Sequence, residues 1–321
     1  LFYPDSSLRT PYVQHYNLNV QHEVVKDLSV QVAYVGKGGR KLLMGLTTNP
    51  GLSVPGIPLT AATLNQRRPI QPFGVLDKIS SQATSRYNAM QMEVNKRFGG
   101  GVSLKGIYTF SRSIDMASGT SLGAGVPYIF NLRTQVGVSD FQAKHIASFS
   151  WIWNLPGLKA APSAVRGLLG NWQANGLVTT RSGLPVNVVI GRDTALSGTS
   201  NQRPNVVGEH RLSGDRPRAE KILAWYNRAA FAEPRAGAYG DVGRNALVGT
   251  PSLNTNFALF KNVPLPGREG LRLQFRSEFF NVFNAVNLGS PNNQFTAGAN
   301  MGRITGAGEA RVIQFALKLI F

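Results

Sequence analysis

The sequence predicts an all-β chain, an antiparallel transmembrane β-barrel with long extracellular loops, and three observations predict it. Apolar and polar residues alternate with a period of two in paired segments. Short connections within the pairs alternate strictly with long connections between them. The last segment, Ala310 to Phe321, alternates to its end and closes on an aromatic residue.

Successive side chains of a strand point to opposite faces, so alternation reads as one greasy and one wet face. In Tyr16 to Val24 the apolar set is Tyr16, Leu18, Val20 and Val24, with Asn17, Asn19 and Gln21 between them. After Lys26 and Asp27 the pattern resumes with Leu28, Val30, Val32 and Tyr34 against Ser29, Gln31 and Ala33, which completes a hairpin. The second pair runs from Arg86 to Phe98 and from Gly101 to Arg112. Gly99 and Gly100 join it and permit the positive φ of a tight turn. Met90, Met92, Val94 and Phe98 oppose Gln91, Glu93, Asn95 and Arg97, and Leu104, Tyr108 and Phe110 oppose Lys105, Thr109 and Ser111.

The third pair begins at His145, where Ala147, Phe149, Trp151 and Trp153 alternate with Ser148 and Ser150, and returns from Trp172 towards Val189. Its connection, Pro156 to Asn171, has room for a short helix around Ala164 to Leu169. The fourth pair is Leu253 to Asn262 and Leu271 to Phe283, joined by Pro264-Leu265-Pro266-Gly267. Leu271, Leu273, Phe275 and Phe279 alternate there with Arg272, Gln274, Arg276 and Glu278. The ninth strand places Ile313, Phe315, Leu317, Leu319 and Phe321 on one face, and Gln314, Ala316 and Lys318 on the other.

Between the pairs lie Lys37 to Ser85, Ser113 to Lys144, Ile190 to Ser252 and Asn287 to Glu309, rich in Gly, Pro, Ser and Asn. Loops of this length are unusual in a compact soluble domain. A helix is expected over Arg218 to Ala232, with Ile222, Trp225, Tyr226 and Phe231 as its bulky residues. Outer-membrane barrels have short periplasmic turns and long extracellular loops. If Phe321 ends at the periplasmic side, every short connection falls in the periplasm. Strand lengths of about nine to thirteen residues suit a tilted crossing, which needs roughly 9 to 11. Tyr34, Phe98, Phe110, Trp153, Phe283 and Phe321 are candidates for interfacial aromatic girdles. A soluble β-sandwich also alternates but normally uses shorter loops.

Composition narrows the alternatives. No apolar run reaches the roughly 18 to 20 residues that a membrane-spanning helix requires, so strands must do any crossing. The chain begins at Leu1 without a basic stretch and apolar h-region, and is expected to be a processed or truncated product. The absence of cysteine excludes disulfides, thiolate metal sites and cysteine nucleophiles. The 34 Lys and Arg against 16 Asp and Glu give a formal charge of +18, which would attract nucleic acid, anionic lipid or acidic glycolipid. These charges are scattered, as on solvated faces.

The segments LRLQFRSEFFNVFN at Leu271 to Asn284, MGRIT at Met301 to Thr305 and the terminal RVIQFALKLIF form one group of motifs. Together with SRYNAMQMEVNKRF at Ser85 to Phe98, IYTFSRSID at Ile107 to Asp115 and WYNRAAFAEP at Trp225 to Pro234, they resemble TonB-dependent receptors of the Oar-like group. The resemblance implies an N-terminal carboxypeptidase-regulatory-like domain, a plug, and a barrel of about 22 strands, the size class of plugged transporters. Residues 1–321 would then be about nine C-terminal strands of a single barrel domain, with the plug and N-terminal domain outside this chain. It also implies a bacterial outer-membrane location, lipid and lipopolysaccharide as surroundings, and contact with TonB through upstream segments. A terminal aromatic on an alternating strand is, in such barrels, part of the signal read by the barrel-assembly machinery. Phe315, Leu317, Leu319 and Phe321 match it.

No local catalytic constellation is visible. Gly119-Thr120-Ser121-Leu122-Gly123 matches G-x-S-x-G, but an elbow needs an apolar strand before it and a helix after it, and neither is present. Gly36-Lys37-Gly38-Gly39-Arg40-Lys41 lacks the spacing of a phosphate loop and reads as the exit from a strand. His15, His22, His145 and His210 are too dispersed for a local metal motif, and no cofactor is implied. The best binding candidates are the lumen-facing polar row Arg272, Gln274, Arg276 and Glu278, with Lys318. The expected function is binding and import of a solute by a plugged barrel, without bond chemistry. The alternatives are a structural or adhesive barrel and a basic soluble protein that binds nucleic acid through scattered arginines and aromatics.

Overall fold

Nine long antiparallel strands, each hydrogen-bonded to its neighbour in sequence, form one open meander among the described residues. The computed structural model describes residues 1–119, 130–158, 160, 162–267 and 270–321. The strands are β1 (Tyr12–Val25), β2 (Leu28–Thr48), β3 (Leu76–Phe98), β4 (Val102–Asp115) and β5 (His145–Asn154). They continue as β6 (Trp172–Arg181), β7 (Ser252–Pro264), β8 (Arg272–Phe280) and β9 (Val312–Ile320). A helix, α1 (Ser163–Leu169), stands in the β5–β6 connection where one was expected. The nine expected strands are thus present, and β1 and β9 are the free edges of the path.

Register fixes the two faces. Leu18 lies opposite Tyr34, Tyr34 opposite Met90, and Met90 opposite Phe110. At the other edge Phe257 pairs with Phe279, and Phe275 with Leu317. One face is therefore predominantly apolar and solvent-accessible, with Leu18 at 68% and Leu317 at 66% exposure. A glycine on β6 allows an aromatic row to cross this face. Gly176 sits between Trp151 and Phe257, whose ring centroids are 6.1 Å apart, and Phe257 continues to Phe279 at 6.0 Å. A Cβ on Gly176 would lie 2.1 Å from the indole nitrogen of Trp151. Gly176→Val should therefore expel the indole, costing about 1–3 kcal/mol as overpacking does. A lower melting temperature with a shifted tryptophan emission of the full-length protein checks this, and an unchanged spectrum would refute the contact.

The strands depart from expectation in length. β2 has 21 residues and β3 has 23, well beyond the roughly 9 to 11 of a tilted crossing. The Gly36 to Lys41 segment is consequently ladder rather than strand exit, because β1 pairs with it as far as Arg40. Tyr34 falls in mid-strand, not at a girdle, and its hydroxyl donates to Asn88 Oδ1 at 2.8 Å. Register shifts between Gly39 and Leu42 and between Leu42 and Met44 interrupt the β2–β3 ladder, with Lys41 at φ 54°. Such bulges re-aim side chains. Beyond them Met44, Leu46, Ala83 and Met116 pack as a buried cluster.

The opposite deviation occurs at β6, which ends at Arg181 instead of running on towards Val189, and at β8, which ends at Phe280 so that Phe283 lies beyond it. Connections 26–27, 99–101, 155–171 and 265–271 lie at one end of the sheet, and 49–75, 116–144, 182–251 and 281–311 at the other. The expected helix over 218–232 is cut to α2 (Arg218–Leu223), a 3-10 turn (Arg228–Ala230) and a short strand (Phe231–Ala232). Ala224 is extended, so Trp225 and Tyr226 leave the helix to enter a core.

Candidate functional site

The long connections fold on one another into a lobe with its own core. Phe231–Ala232 pairs antiparallel with Asn205–Val206, and Leu247–Val248 with Pro185–Val186. Val186, Val188, Tyr226, Phe231, Leu247 and Met301 are buried together in this cluster. The WYN and MGRIT motifs meet here. Trp225 N–H donates to Gly302 O at 2.8 Å, Ile304 N–H donates to Ile222 O at 2.8 Å, and the Tyr226 hydroxyl donates to Asn292 O. Burial pushes the Tyr226 phenol well above its usual range.

Arg244 fastens this lobe to the sheet. Its guanidinium pairs with the carboxylate of Asp115, the last residue of β4, and also donates to Asp115 O at 2.9 Å and Gln135 O at 2.9 Å. Both side chains are nearly inaccessible, at 9% and 5%, whereas the second partner, Asp140 at 3.0 Å, is largely exposed. Arg203 donates to Thr134 O at 2.9 Å, and burial, with the charge of Arg244 beside it, holds it below the ordinary guanidinium range. Arg67, only 1% exposed, donates to the carbonyls of Leu52, Thr60 and Leu196 at 2.7–3.0 Å. Buried guanidinium groups thus serve as carbonyl clamps between separate loops.

A cavity of about 440 Å³ opens beside the core, floored by Trp225, Tyr226 and Leu247 and ringed by His210, Arg211, Arg216 and Lys221. Its wall is fixed locally. Arg216 donates to Ala224 O at 2.8 Å and satisfies the end of α2, while the Trp225 indole N–H donates to Val248 O at 2.8 Å. Among the described residues no Asp or Glu lines this cavity. Its volume lies within the range of small-molecule pockets, and an apolar floor with cationic rim groups suits an anionic solute with an apolar part.

The polar row expected from sequence does share one face. Gln274 lies opposite Lys318 and Asn262, Arg276 opposite Ala316 and Phe260, and Glu278 opposite Gln314. Gln274 Nε2 donates to Asn262 Oδ1 at 2.8 Å, and Arg276 Nε donates to Gln274 Oε1 at 2.7 Å while its guanidinium lies 4.7 Å from the Phe260 ring centroid. Gln274 is buried, Arg276 and Glu278 are half-buried, and Arg272 and Lys318 are exposed. Phe315, Leu317, Leu319 and Phe321 occupy the other face, exposed on the edge strand and its end. None of these residues lines the lobe cavity.

Sequence reasoning named Trp225 and Tyr226 as bulky residues of a helix and His210 as an isolated histidine, and did not join them into a cavity. Its signal was the cluster of Arg211, Arg216 and Lys221 just ahead of Trp225-Tyr226. Among the described residues no group of three His, Asp or Glu is placed to hold a metal ion. His145 instead meets the Tyr108 hydroxyl at 2.7 Å and lies tilted beside Phe110, with ring centroids 5.2 Å apart. The G-x-S-x-G segment, from Thr120 onward, lies outside the described residues.

Comparison with known proteins bears on the whole chain. The family model for the outer membrane beta barrel domain matches residues 1–314. No curated protein matches the sequence. The outer membrane transporter YddB from Escherichia coli is similar in fold, with a TM-score of 0.55 and 11% identity over 98% of this chain and 33% of that one. The FrpB iron transporter from Neisseria meningitidis gives 0.49 and 9% over 99% and 32%. P. aeruginosa FpvA bound to heterologous pyoverdines gives 0.48 and 10% over 98% and 28%. The chain spans about a third of the length of these proteins.

Proposed function

Because the chain belongs to the outer membrane beta barrel domain family, we propose that it is the C-terminal portion of a TonB-dependent receptor of the Oar-like group that binds and imports a solute. It is a bacterial outer-membrane protein, and its open meander is a segment of barrel wall. Residues 1–321 form part of one barrel domain, whose further strands cover the free edges of β1 and β9. Plug, N-terminal domain and TonB-contacting segment belong to upstream sequence. The apolar sheet face meets lipid, and the row Arg272, Gln274, Arg276, Glu278 and Lys318 faces the lumen. Phe315, Leu317, Leu319 and Phe321 are read by the barrel-assembly machinery, and the basic loops meet lipopolysaccharide. Membership of this family sets aside a soluble nucleic-acid-binding role.

One observation carries the solute-binding reading. The loop end is built as a packed lobe with a cationic, aromatic-floored cavity, whereas three of the four connections at the opposite end are at most seven residues long. A purely structural barrel has no need of such a lobe. Binding and gating, rather than bond chemistry, are the mechanism, since the described residues of the lobe cavity offer cationic and aromatic recognition groups.

Spent-medium profiles of three strains test this: wild type, a deletion of the full-length gene, and a deletion of TonB. The same solute should remain unconsumed in both deletions, and Trp225→Ala should reproduce that phenotype at normal receptor abundance. A gene deletion that alters cell attachment while leaving every solute profile unchanged would favour the adhesive reading instead.

A further inference from the structure

At the end of the sheet that carries the short turns, one connection is out of proportion. Residues 155–171 contain α1, and each of its seven residues is exposed. Its apolar residues are Ala164, Val165, Leu168 and Leu169, spaced so that they share one face, with Leu168 at 70% and Leu169 at 55% exposure. A helix of two turns is not stable in water by propensity alone. Something must hold it, and something must cover its leucines.

The first is visible. The indole N–H of Trp172 donates to Leu168 O at 3.0 Å, and the ammonium of Lys261 donates to the same carbonyl at 3.1 Å and to Gly170 O. A cation at these carbonyls complements the helix C-terminus. Lys261 also lies 5.4 Å from the centre of the Trp172 ring. Trp172 and Lys261 are cross-strand partners between β6 and β7, in the row next to Ala174 and Leu259 but one on the same face. That face is the one occupied by Trp151, Phe257 and Phe279. The last turn of the helix is therefore held by side chains of the apolar, lipid-meeting face at its short-turn margin, where its leucines are exposed.

We propose that α1 is an interfacial anchor that lies in the periplasmic leaflet of the outer membrane, with Leu168 and Leu169 among phospholipid acyl chains and Arg166 at the phosphates. Continuity with the lipid-meeting face selects lipid as the occupant over a periplasmic protein or a second copy. Trp172 and Lys261 suit the position because each joins an apolar body to a polar tip. Neither Lys261 nor Trp172 lines the lobe cavity, so the anchor stands apart from it.

Nitroxide labels on single cysteines at 167, 168, 169 and 317 of the full-length protein, in phosphatidylethanolamine and phosphatidylglycerol vesicles, test the proposal. Relaxation by dissolved oxygen should exceed that by an aqueous nickel chelate at 168 and 169, at a depth of about 5–10 Å, and the order should reverse at 167. Position 317 reports the barrel wall independently. A lipid reading at 317 with a water reading at 168 and 169 overturns the anchor while leaving the barrel intact. Shielding of 168 and 169 from both reagents would also overturn it, because a protein would then cover the helix. Lys261→Gln should lose the oxygen preference at 168 and retain it at 317.

Discussion

Replacing Leu317 with Arg should strip the full-length protein from the outer membrane, while the same change at Ala316 leaves most of it there. Leu317 is on the apolar face opposite Phe275, and Ala316 is on the polar face opposite Arg276. A lipid-facing arginine near mid-membrane costs about 2–4 kcal/mol. At 1.4 kcal/mol per tenfold that is about 30-fold to 700-fold in insertion. Arginine at 316 meets a like charge across the ladder, which costs only roughly 0.2–1 kcal/mol. Leu319 lies nearer the strand end, so its arginine variant should fall between the two, since the penalty fades towards the interface. Outer-membrane abundance by quantitative immunoblot is the measurement. Equal abundance of the Leu317 and Ala316 variants would refute the assigned faces.

Arg244→Met should loosen the loop lobe without removing the barrel. The substitution leaves the Asp115 carboxylate buried with, among the described residues, a single remaining donor, the Ser118 hydroxyl at 2.7 Å. Breaking one side of a buried pair costs about 3–5 kcal/mol. The pair with Asp140 adds little, because that carboxylate is largely exposed. Limited proteolysis of intact cells should then cut within 182–251 in the variant and spare the wild type, at equal receptor abundance. Adding Asp115→Asn should restore much of the protection, since the stranded charge is gone. Protection unchanged in Arg244→Met would show that the pair is not the fastening point.

The strands were legible from sequence because each obeys one local rule. Leu271 to Phe279 alternate so regularly that the face of every residue could be written before any pairing was known. The ends of strands were less legible. β2 runs on through Gly36 to Lys41 with β3 paired beside it, where glycines erase the alternation and Tyr16 on the neighbouring strand covers Gly36. The lobe was hardly legible at all. Val188, Tyr226, Leu247 and Met301 meet from four separated stretches, and no period links them. The helix over 218–232 failed for the same reason: helical spacing of Ile222, Trp225 and Tyr226 was real, but Met301 and Gly302 recruit the aromatics into an extended segment. The cavity depends on that recruitment, so it could not be drawn until the fold was known.

The lobe and the sheet place their greasy residues in different media. Val188, Phe231 and Leu247 are hidden from water, whereas Leu18, Phe315 and Leu317 lie open on the face we assign to lipid. Melting the lobe wets apolar surface and raises the heat capacity. The sheet keeps its apolar face in hydrocarbon throughout, so it contributes no comparable increment. Temperature therefore acts on the two parts by different laws. Cooling weakens the water-driven cohesion of the loop lobe while leaving the wall that carries it untouched.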